Sequence, residues 1–230
     1  MKTRAFGVMA VALWVAAGLA ADVAAGAPRL TRAEAKAGFR VLFNGKDLDG
    51  WMEVQGRPGT FKVDDGILVG HKRSGQAYWL STRRMYGDFE LRLEYMLPER
   101  GNSGVFIRAP HHGRTSKMGM EIQLLDDGHR PPGKGSTASI YRIVAPKVAA
   151  ARPADEWNQL RILCHGSRVQ ITLNGKVVND ANMNDHAQLR HKYRKGYIGL
   201  SAHSHTIRFR NLRIREIFAT PPSEYQWQAE

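Results

Sequence analysis

Arg100–Pro110 reads RGNSGVFIRAP, and Met118–Asp127 reads MGMEIQLLDD. In the second segment, apolar residues alternate with glycine or polar residues. Because a β-strand sends successive side chains to opposite faces, this alternation predicts a strand. Its methionine, isoleucine and leucine side chains can enter a core, while Glu121 and Gln123 stand together on the other face.

The first segment alternates in the same way and is predicted to be the neighbouring strand. Side-by-side pairing would place Arg108 near Glu121 and Gln123, with Asn102 and Ser103 at the rim. Such a polar cluster on a rigid sheet is a suitable place for a functional site. The alternative is an amphipathic sheet whose outer face is simply hydrated.

The rest of the chain repeats this strand pattern. Asp65-Gly66 and Asn174-Gly175 each separate two strand-like runs, as tight hairpin turns do. Asp88–Leu97 alternates strictly and is predicted to be half-buried, with a solvated outer face. About ten to twelve short strands follow from such patterns, and the hairpins favour antiparallel pairing.

One short helical segment is predicted. Thr31–Ala37 carries a capping box, in which Thr31 is the N-cap and Glu34 lies three residues later, and Gly38 ends the segment. The fold class predicted is therefore all-β, an antiparallel two-sheet β-sandwich or jelly roll.

The N-terminus has the pattern of a secretory signal peptide. Residues 1–27 begin with Lys2 and Arg4, continue through an uncharged apolar run, and reach small residues, with cleavage expected after Ala20 or near Ala25. The run is short for a membrane span, and no later stretch could span a bilayer. We expect an exported, periplasmic or secreted protein; the alternative is a retained N-terminal anchor. Residues 218–230, which contain Pro221-Pro222, are expected to be a loose tail.

Charge and cysteine content limit the function classes. The formal net charge is +13, which favours anionic partners such as acidic polysaccharide, envelope phosphates or nucleic acid. No nucleic-acid motif is recognisable, so we interpret the charge as a solvated surface and expect no nucleic-acid partner. The one cysteine, Cys164, excludes an internal disulfide, and its strand position predicts a buried small hydrophobe.

Few residues are candidates for chemistry, because no phosphate loop, dinucleotide fingerprint, zinc-protease helix or serine-hydrolase elbow is present. Glu121 could act as base, acid or metal ligand; the alternative is a surface ion pair with Arg108. Asp126 and His129 follow the same strand and could reach over it, or could be plain turn and loop residues. His203 ends a later strand and could transfer protons near neutral pH.

Other residues suit a carbohydrate. Gln123 and Asn102 could hold sugar hydroxyls, and Tyr141 and Trp157 offer flat faces for a sugar ring, although each is also an ordinary core residue. The neighbouring His111-His112 pair is not expected to bind one metal, since adjacent side chains point apart on extended backbone.

Several motifs in order resemble the 3-keto-disaccharide hydrolase domain family. They are GFRVLFNGKDLDGW (Gly38–Trp51), FKVDDGILVG (Phe61–Gly70), YGDFELRLEY (Tyr86–Tyr95), GNSGVFIRAP (Gly101–Pro110), GMEIQLLD (Gly119–Asp126), EWN (Glu156–Asn158), LNG (Leu173–Gly175) and IRFRNLRIREI (Ile207–Ile217). The resemblance covers residues 38–217. It implies a concanavalin A-like sandwich of the lectin and glucanase type, two curved antiparallel sheets with the site on the concave side.

The resemblance also implies site residues. Glu121, Gln123 and Asp126 match the family's E-x-Q-x-L-D strand, and Asn102, Ser103 and Arg108 match its N-S-G-x-x-x-R strand. His129 stands one residue off the family's His-Pro, since the text here is His129-Arg130-Pro131. Near the end, the family's Gln-Asp-His-Gly is Ser201-Ala202-His203-Ser204 here and keeps only the histidine.

The implied reaction is cleavage of a 3-keto-glycoside by elimination and hydration, a net hydrolysis. The hypothesis assigns the base to Glu121 or His203, the acid to the other, and the enolate oxygen to Arg108 or a divalent cation. No oxidative cofactor is needed, because a partner sugar 3-dehydrogenase would supply the keto sugar. The rivals are a non-catalytic carbohydrate-binding module, a two-carboxylate glycosidase and a basic envelope-binding protein.

Overall fold

The computed structural model describes residues 28–56, 59–71, 78–113, 115–203 and 205–218. These ranges contain two short α-helices, one 3-10 helix at Met183–Asp185 and thirteen strands. They are α1 Arg32–Lys36, β1 Arg40–Val41, β2 Trp51–Val54, β3 Phe61–Asp64, β4 Ile67–Gly70, β5 Tyr78–Thr82, β6 Phe89–Met96, β7 Asn102–Ala109, α2 Thr115–Met118, β8 Met120–Leu125, β9 Asn158–His165, β10 Arg168–Leu173, β11 Lys176–Asn182, β12 Tyr197–Ala202 and β13 Ile207–Glu216.

The strands form two antiparallel sheets that pack face to face. One sheet has the order β11-β10-β9-β6-β13-β4-β3, with β1 paired to β13, and the other has the order β2-β5-β12-β7-β8. Buried aliphatic and aromatic side chains from both sheets fill the space between them. The all-β, two-sheet prediction is therefore confirmed.

Local sequence signals placed the hairpins and the first helix correctly. Strands β3 and β4 pair around Asp65 and Gly66, which both have positive φ, and β10 and β11 meet at Asn174-Gly175. The capping box of α1 forms as predicted, with the Glu34 amide donating to Thr31 Oγ1 at 3.1 Å. Strand β1 is only two residues long, because Arg40 and Val41 alone make ladder pairs there, with Ile214 and Arg213 of β13.

Strand β7 contains a bulge that reverses the direction of one side chain. Tyr197 of β12 pairs with Ala109, but Gly199 pairs with Phe106, so β7 has one extra residue in this interval. Arg108 lies there with φ of +49°, and its side chain is fully buried. A bulge residue leaves the strict alternation, because it no longer pairs across the ladder.

The outer face of β6 is covered, contrary to the solvated face that the sequence predicts. Glu90 on this face is fully buried and accepts hydrogen bonds from Arg92, Arg161 and Arg215 at 2.7 to 2.8 Å. Burial alone would raise the Glu90 pKa, but the hydrogen bonds from the arginines outweigh burial and lower it to about 2.

A second carboxylate connects the first helix to the same face. Glu34 of α1 accepts from Arg213 at 2.7 Å and from Arg92 at 3.0 Å. Although burial opposes the change, the hydrogen bond from Arg213 helps to lower the Glu34 pKa to about 2. The outer face of the larger sheet is thus covered by a helix and an ion-pair network.

Cys164 is buried in the core as predicted, and burial raises its thiol pKa to about 12. The proposed signal peptide, residues 1–27, and most of the proposed tail, residues 219–230, lie outside the described residues. Within the described ranges, no helix has the length and apolar character needed to cross a bilayer.

Candidate active site on the smaller sheet

The outward face of the five-stranded sheet carries the candidate site. Residues directly opposite each other in a ladder share a face. Glu121 of β8 is opposite Phe106 of β7, and Gln123 is opposite Gly104. The next strand, β12, continues this face with Gly199 and Ser201. We call this outward face the floor.

Glu121 is the most unusual residue of the floor. Its side chain is largely buried, with the residue 8% exposed, and no residue in the described ranges donates a hydrogen bond to its carboxylate. Burial raises the Glu121 pKa to about 7, against the opposing charge of Arg142. A buried carboxyl that titrates near neutral pH is suited to accept and release a proton.

Gly104 provides the space in which the Glu121 carboxylate lies. A Cβ at position 104 would stand 2.6 Å from Glu121 Oε1 and 3.0 Å from its Cγ. Those distances are shorter than van der Waals contact, so no larger residue fits beside the present Glu121 rotamer. The glycine of the Asn-Ser-Gly segment is therefore part of the site, which the sequence alone did not indicate.

Polar groups next to Glu121 form one end of the floor. Gln123 Nε2 donates to Asn102 Oδ1 at 3.0 Å, which holds both amides in place. Ser201 Oγ donates to the Gly104 carbonyl at 3.4 Å. His203 directly follows the end of β12, two residues after Ser201, and is half-buried. The structure thus brings Glu121, Gln123 and Asn102 together as predicted.

The predicted position of Arg108 beside Glu121 is wrong. Because of the bulge, its guanidinium enters the interior and donates to Asp88 Oδ1 at 2.8 Å, to the Gly87 carbonyl at 2.9 Å and to the Gly166 carbonyl at 3.0 Å. The side chain is fully buried in this network. Arg108 stabilises the fold and has no access to a ligand on the floor.

Ser103 does not lie where the sequence analysis predicted. It lies on the inward face of β7, is fully buried, and donates from Oγ to the Ser201 carbonyl at 2.6 Å. The rim position expected for it is therefore wrong, since only Asn102 of that pair faces outward.

Asp126 and His129 lie beyond the end of the floor. Asp126 Oδ2 accepts from the Arg100 backbone amide at 2.9 Å, and His129 Nε2 accepts from Arg130 Nε at 3.2 Å. These four residues line an open cleft together with Glu99 and Leu125. These hydrogen bonds hold the loop that follows β8, and neither of them involves Glu121.

Tyr141 lies beside Glu121. The next residue, Arg142, supplies a positive charge near Glu121 that the sequence analysis did not predict. The Tyr141 amide donates to the Glu121 carbonyl at 2.9 Å, so this segment continues the sheet past β8. Arg142 has φ of +63°, and its guanidinium lies 5.2 Å from the centroid of the Tyr141 ring. Arg142 is the cation whose charge acts on Glu121.

The opposite end of the floor is aromatic. Phe106 and Trp79 meet edge to face, with ring centroids 5.4 Å apart, and His111 stacks on Tyr197 at 3.5 Å with planes 13° apart. His111 Nε2 lies 2.9 Å from Ser81 Oγ. This histidine comes from the loop after β7, and alternation along a strand could not place it.

The side chains that could bind a metal ion are scattered over the part of the chain that the structure describes. Within the described ranges, no group of three or more histidine, cysteine, aspartate or glutamate side chains is arranged to hold one. Glu121 is the single carboxylate among the floor residues named above. We therefore assign no chemical step to a divalent cation.

Comparisons with known proteins place this geometry in context. Residues 38–215 match the profile of a family described as the 3-keto-alpha-glucoside-1,2-lyase-like domain. A 3-keto-disaccharide hydrolase of Bacteroides thetaiotaomicron is 23% identical over 227 residues, covering 77% of this chain and 78% of that protein.

Solved structures show the same fold. A candidate glycosyl hydrolase of Parabacteroides distasonis superposes with a TM-score of 0.73 at 23% identity, covering 83% of this chain and 99% of that one. The Bacillus licheniformis β-glucanase superposes with a TM-score of 0.53 at 10% identity, covering 78% of this chain and 97% of that one. The predicted concanavalin A-like sandwich is thus confirmed at the level of fold.

Proposed function

The chain belongs to the family of 3-keto-alpha-glucoside-1,2-lyase-like domains, and on that premise we propose that it cleaves 3-keto-glycosides by elimination and hydration. The observation that supports this most directly is Glu121, a buried carboxylate with a pKa of about 7 on the outward face of the smaller sheet. The resemblance to a 3-keto-disaccharide hydrolase supports the same substrate class.

The proposed reaction needs a base and no oxidant. A ketone at C3 of a sugar acidifies the hydrogen on C2, because removal of that proton gives an enolate. The glycosidic oxygen on C1 is β to the carbonyl, so the C1–O bond breaks as the enolate collapses to an enone, and the departing oxygen takes up a proton. Water then adds to C1 and a proton returns to C2, which completes a net hydrolysis without a change of oxidation state.

Glu121 is the proposed base for the C2 proton. A general base works best when its pKa lies near the working pH, since it is then both ionised and basic. An ordinary glutamate with a pKa near 4.5 would be a much weaker base than one raised to about 7. His203, which directly follows the end of β12, is the proposed acid for the departing oxygen.

Arg142 replaces Arg108 in the proposal as the cation for the enolate oxygen. Its charge is felt by Glu121, whereas Arg108 is enclosed in the interior. Charge-assisted hydrogen bonds from a guanidinium stabilise an oxyanion more than neutral donors do. Gln123 and Asn102 would hold sugar hydroxyls, and Tyr141 would border the sugar ring.

The cellular setting remains a proposal from the sequence. The signal-like residues 1–27 support export to the periplasm or beyond. A sugar 3-dehydrogenase would act first, because the reaction requires a keto group that this chemistry does not create.

Cleavage of p-nitrophenyl 3-keto-glucoside, compared with unoxidised p-nitrophenyl glucoside, tests the proposal. We expect release of p-nitrophenol from the keto substrate alone, and its loss in Glu121→Gln. Glu99→Gln is the matched control, because the Glu99 side chain is 82% exposed and lies in the cleft beyond the end of the floor. Parallel assays with a chelator would reveal any contribution from a divalent cation.

The rival functions give different outcomes. Equal cleavage of both glucosides would indicate an ordinary glycosidase, but that mechanism needs two opposed carboxyl groups, and Asp126 is held by the Arg100 amide at the sheet end. Binding of the keto-glucoside without turnover would indicate a carbohydrate-binding module and would reject the proposal.

A further inference from the structure

We propose that the stacked rings of His111 and Tyr197 bind the leaving half of the substrate, an uncharged ring that departs with the C1 oxygen. This inference rests on the proposed function, because it assigns the keto half to Glu121. It adds a second subsite, with its own chemistry, at the other end of the floor.

The two rings form a fixed flat surface. Their centroids are 3.5 Å apart and their planes differ by 13°. His111 Nε2 lies within hydrogen-bond distance of Ser81 Oγ, at 2.9 Å, which orients the imidazole. Both residues are half-buried, so part of the stack remains open to a ligand. Flat aromatic faces bind sugar and aryl rings through dispersion and burial of their carbon surface.

An apolar strip connects this platform to Glu121. Outside the main core, a separate apolar cluster on the floor contains Trp79 and Phe106, and Tyr197 packs against it. Phe106 is directly opposite Glu121 in the ladder, and Gly199 is directly opposite Phe106. The strip therefore runs across neighbouring strands from the platform to the carboxylate.

The separation suits two linked rings. Tyr197 is on β12, two strands away from Glu121 on β8, which corresponds to about 10 Å across the sheet. Gly199 is in line with Phe106 and Glu121, and Tyr197 lies two residues further along β12, so the two positions are about 12 Å apart. Flat groups cover the small residues between them: the Trp79 ring lies against Gly199, and the Glu121 carboxylate lies against Gly104. A single ligand can therefore place one of its rings at the carboxylate and the other at the platform.

The platform end is suited to an uncharged group. Burial lowers the His111 pKa, and the charge of nearby His112 adds to this effect. The backbone hydrogen bond involving Thr82 opposes it, and the net change favours the neutral imidazole. Trp79 is 3% exposed, and its Nε1 has no acceptor in the described ranges. The platform end is thus built from aromatic rings, which suits an uncharged ligand ring.

The test compares leaving groups of different size. Methyl, p-nitrophenyl and glucosyl 3-keto-glucosides are assayed with wild type, His111→Ala and Tyr197→Ala. We expect KM for the two ring-bearing substrates to rise about tenfold, with kcat and the methyl substrate changed far less. Tyr197→Phe keeps the flat face and should restore the wild-type KM. Equal KM changes for methyl and ring-bearing substrates would overturn the proposal.

A matched control and a binding measurement separate this proposal from the proposed function. Trp157→Ala removes an aromatic ring that lies 4.0 Å from the Arg210 guanidinium, away from the floor, and should not alter leaving-group preference. Calorimetric titration with phenyl glucoside measures the platform without any turnover. Binding that weakens in both alanine variants, with no cleavage of any keto substrate, would reject the function and keep the platform; binding unchanged in both variants would reject the platform. Thermal unfolding of each variant confirms that it is folded.

Discussion

Gly104 and Glu121 occupy one shared space on neighbouring strands: a Cβ at position 104 would stand 2.6 Å from Glu121 Oε1. The carboxylate therefore lies flat against the sheet, where burial raises its pKa to about 7. A glycine and an acid 17 positions apart in sequence thus act as one element of the site.

Gly104→Ala is predicted to impair catalysis more than stability. The new methyl group must displace the carboxylate, and a misplacement of about 1 Å can cost about 100-fold in rate. Overpacking should cost about 1–3 kcal/mol of unfolding free energy. Steady-state kinetics on a keto-glucoside and urea unfolding measure the two effects. Gly135→Ala is the control, because a Cβ there meets no atom within 4 Å; equal rates in the two variants would contradict the prediction.

The pH dependence of turnover should report Glu121. As a base it must be ionised, so kcat/KM should be low under acidic conditions and rise with pH through about 7. Glu121→Gln should remove this limb together with nearly all activity. A profile of kcat/KM from pH 5 to pH 9 tests this, and a rising limb centred near pH 4.5 would contradict a buried base.

Ionisation of Glu121 should make the free energy of unfolding fall with rising pH, whereas turnover should rise. Because the folded pKa is raised from 4.5 to about 7, the unfolded chain loses its proton first, and stability falls as pH rises between those values. Above pH 7 the penalty is constant, at about 3 kcal/mol. Glu121→Gln should therefore be more stable than wild type at pH 8 and similar at pH 4. A difference of the same size at both pH values, measured by chemical denaturation, would exclude this explanation.

Acid should destabilise the outer face of the larger sheet. The pKa values of Glu90 and Glu34 are lowered to about 2, so their stabilising effect is present above pH 4.5 and disappears as pH falls toward 2. Glu90→Gln leaves three arginines without their shared partner and should cost about 3–5 kcal/mol at pH 7. That cost should shrink near pH 2, whereas exposed Glu99→Gln should have little effect at either pH. Wild-type stability that is flat from pH 5 to pH 2 would oppose this interpretation.

Arg108→Met is predicted to act on the fold and not on the chemistry. It leaves Asp88 without its buried partner, and the expected loss of unfolding free energy is about 3 kcal/mol. Activity per folded molecule should stay within about threefold of wild type. Arg108→Lys, which keeps a charge for Asp88, provides a folded variant if the methionine variant does not fold. A 100-fold loss of kcat in folded Arg108→Lys would return Arg108 to the catalytic site.

Residue types and spacing determined much of this protein before any coordinates. Alternation in β6 and β8, the Asp-Gly and Asn-Gly turns, and the Thr31–Glu34 capping box each depend on a few neighbouring residues. Local sterics and hydrogen bonds are sufficient to encode such features. For the same reason Glu121 and Gln123 could be assigned to one face of one strand.

Only the tertiary structure decided which other side chains join them. Arg108 turned inward because β7 bulges where it pairs with β12, a strand nearly ninety residues later, and no local signal reports that register. Arg142 and His111 reached the floor because loops fold over it, and Glu90 became buried because α1 and distant arginines cover its strand. These positions depend on contacts between distant parts of the chain, and a period-two pattern contains no information about such contacts.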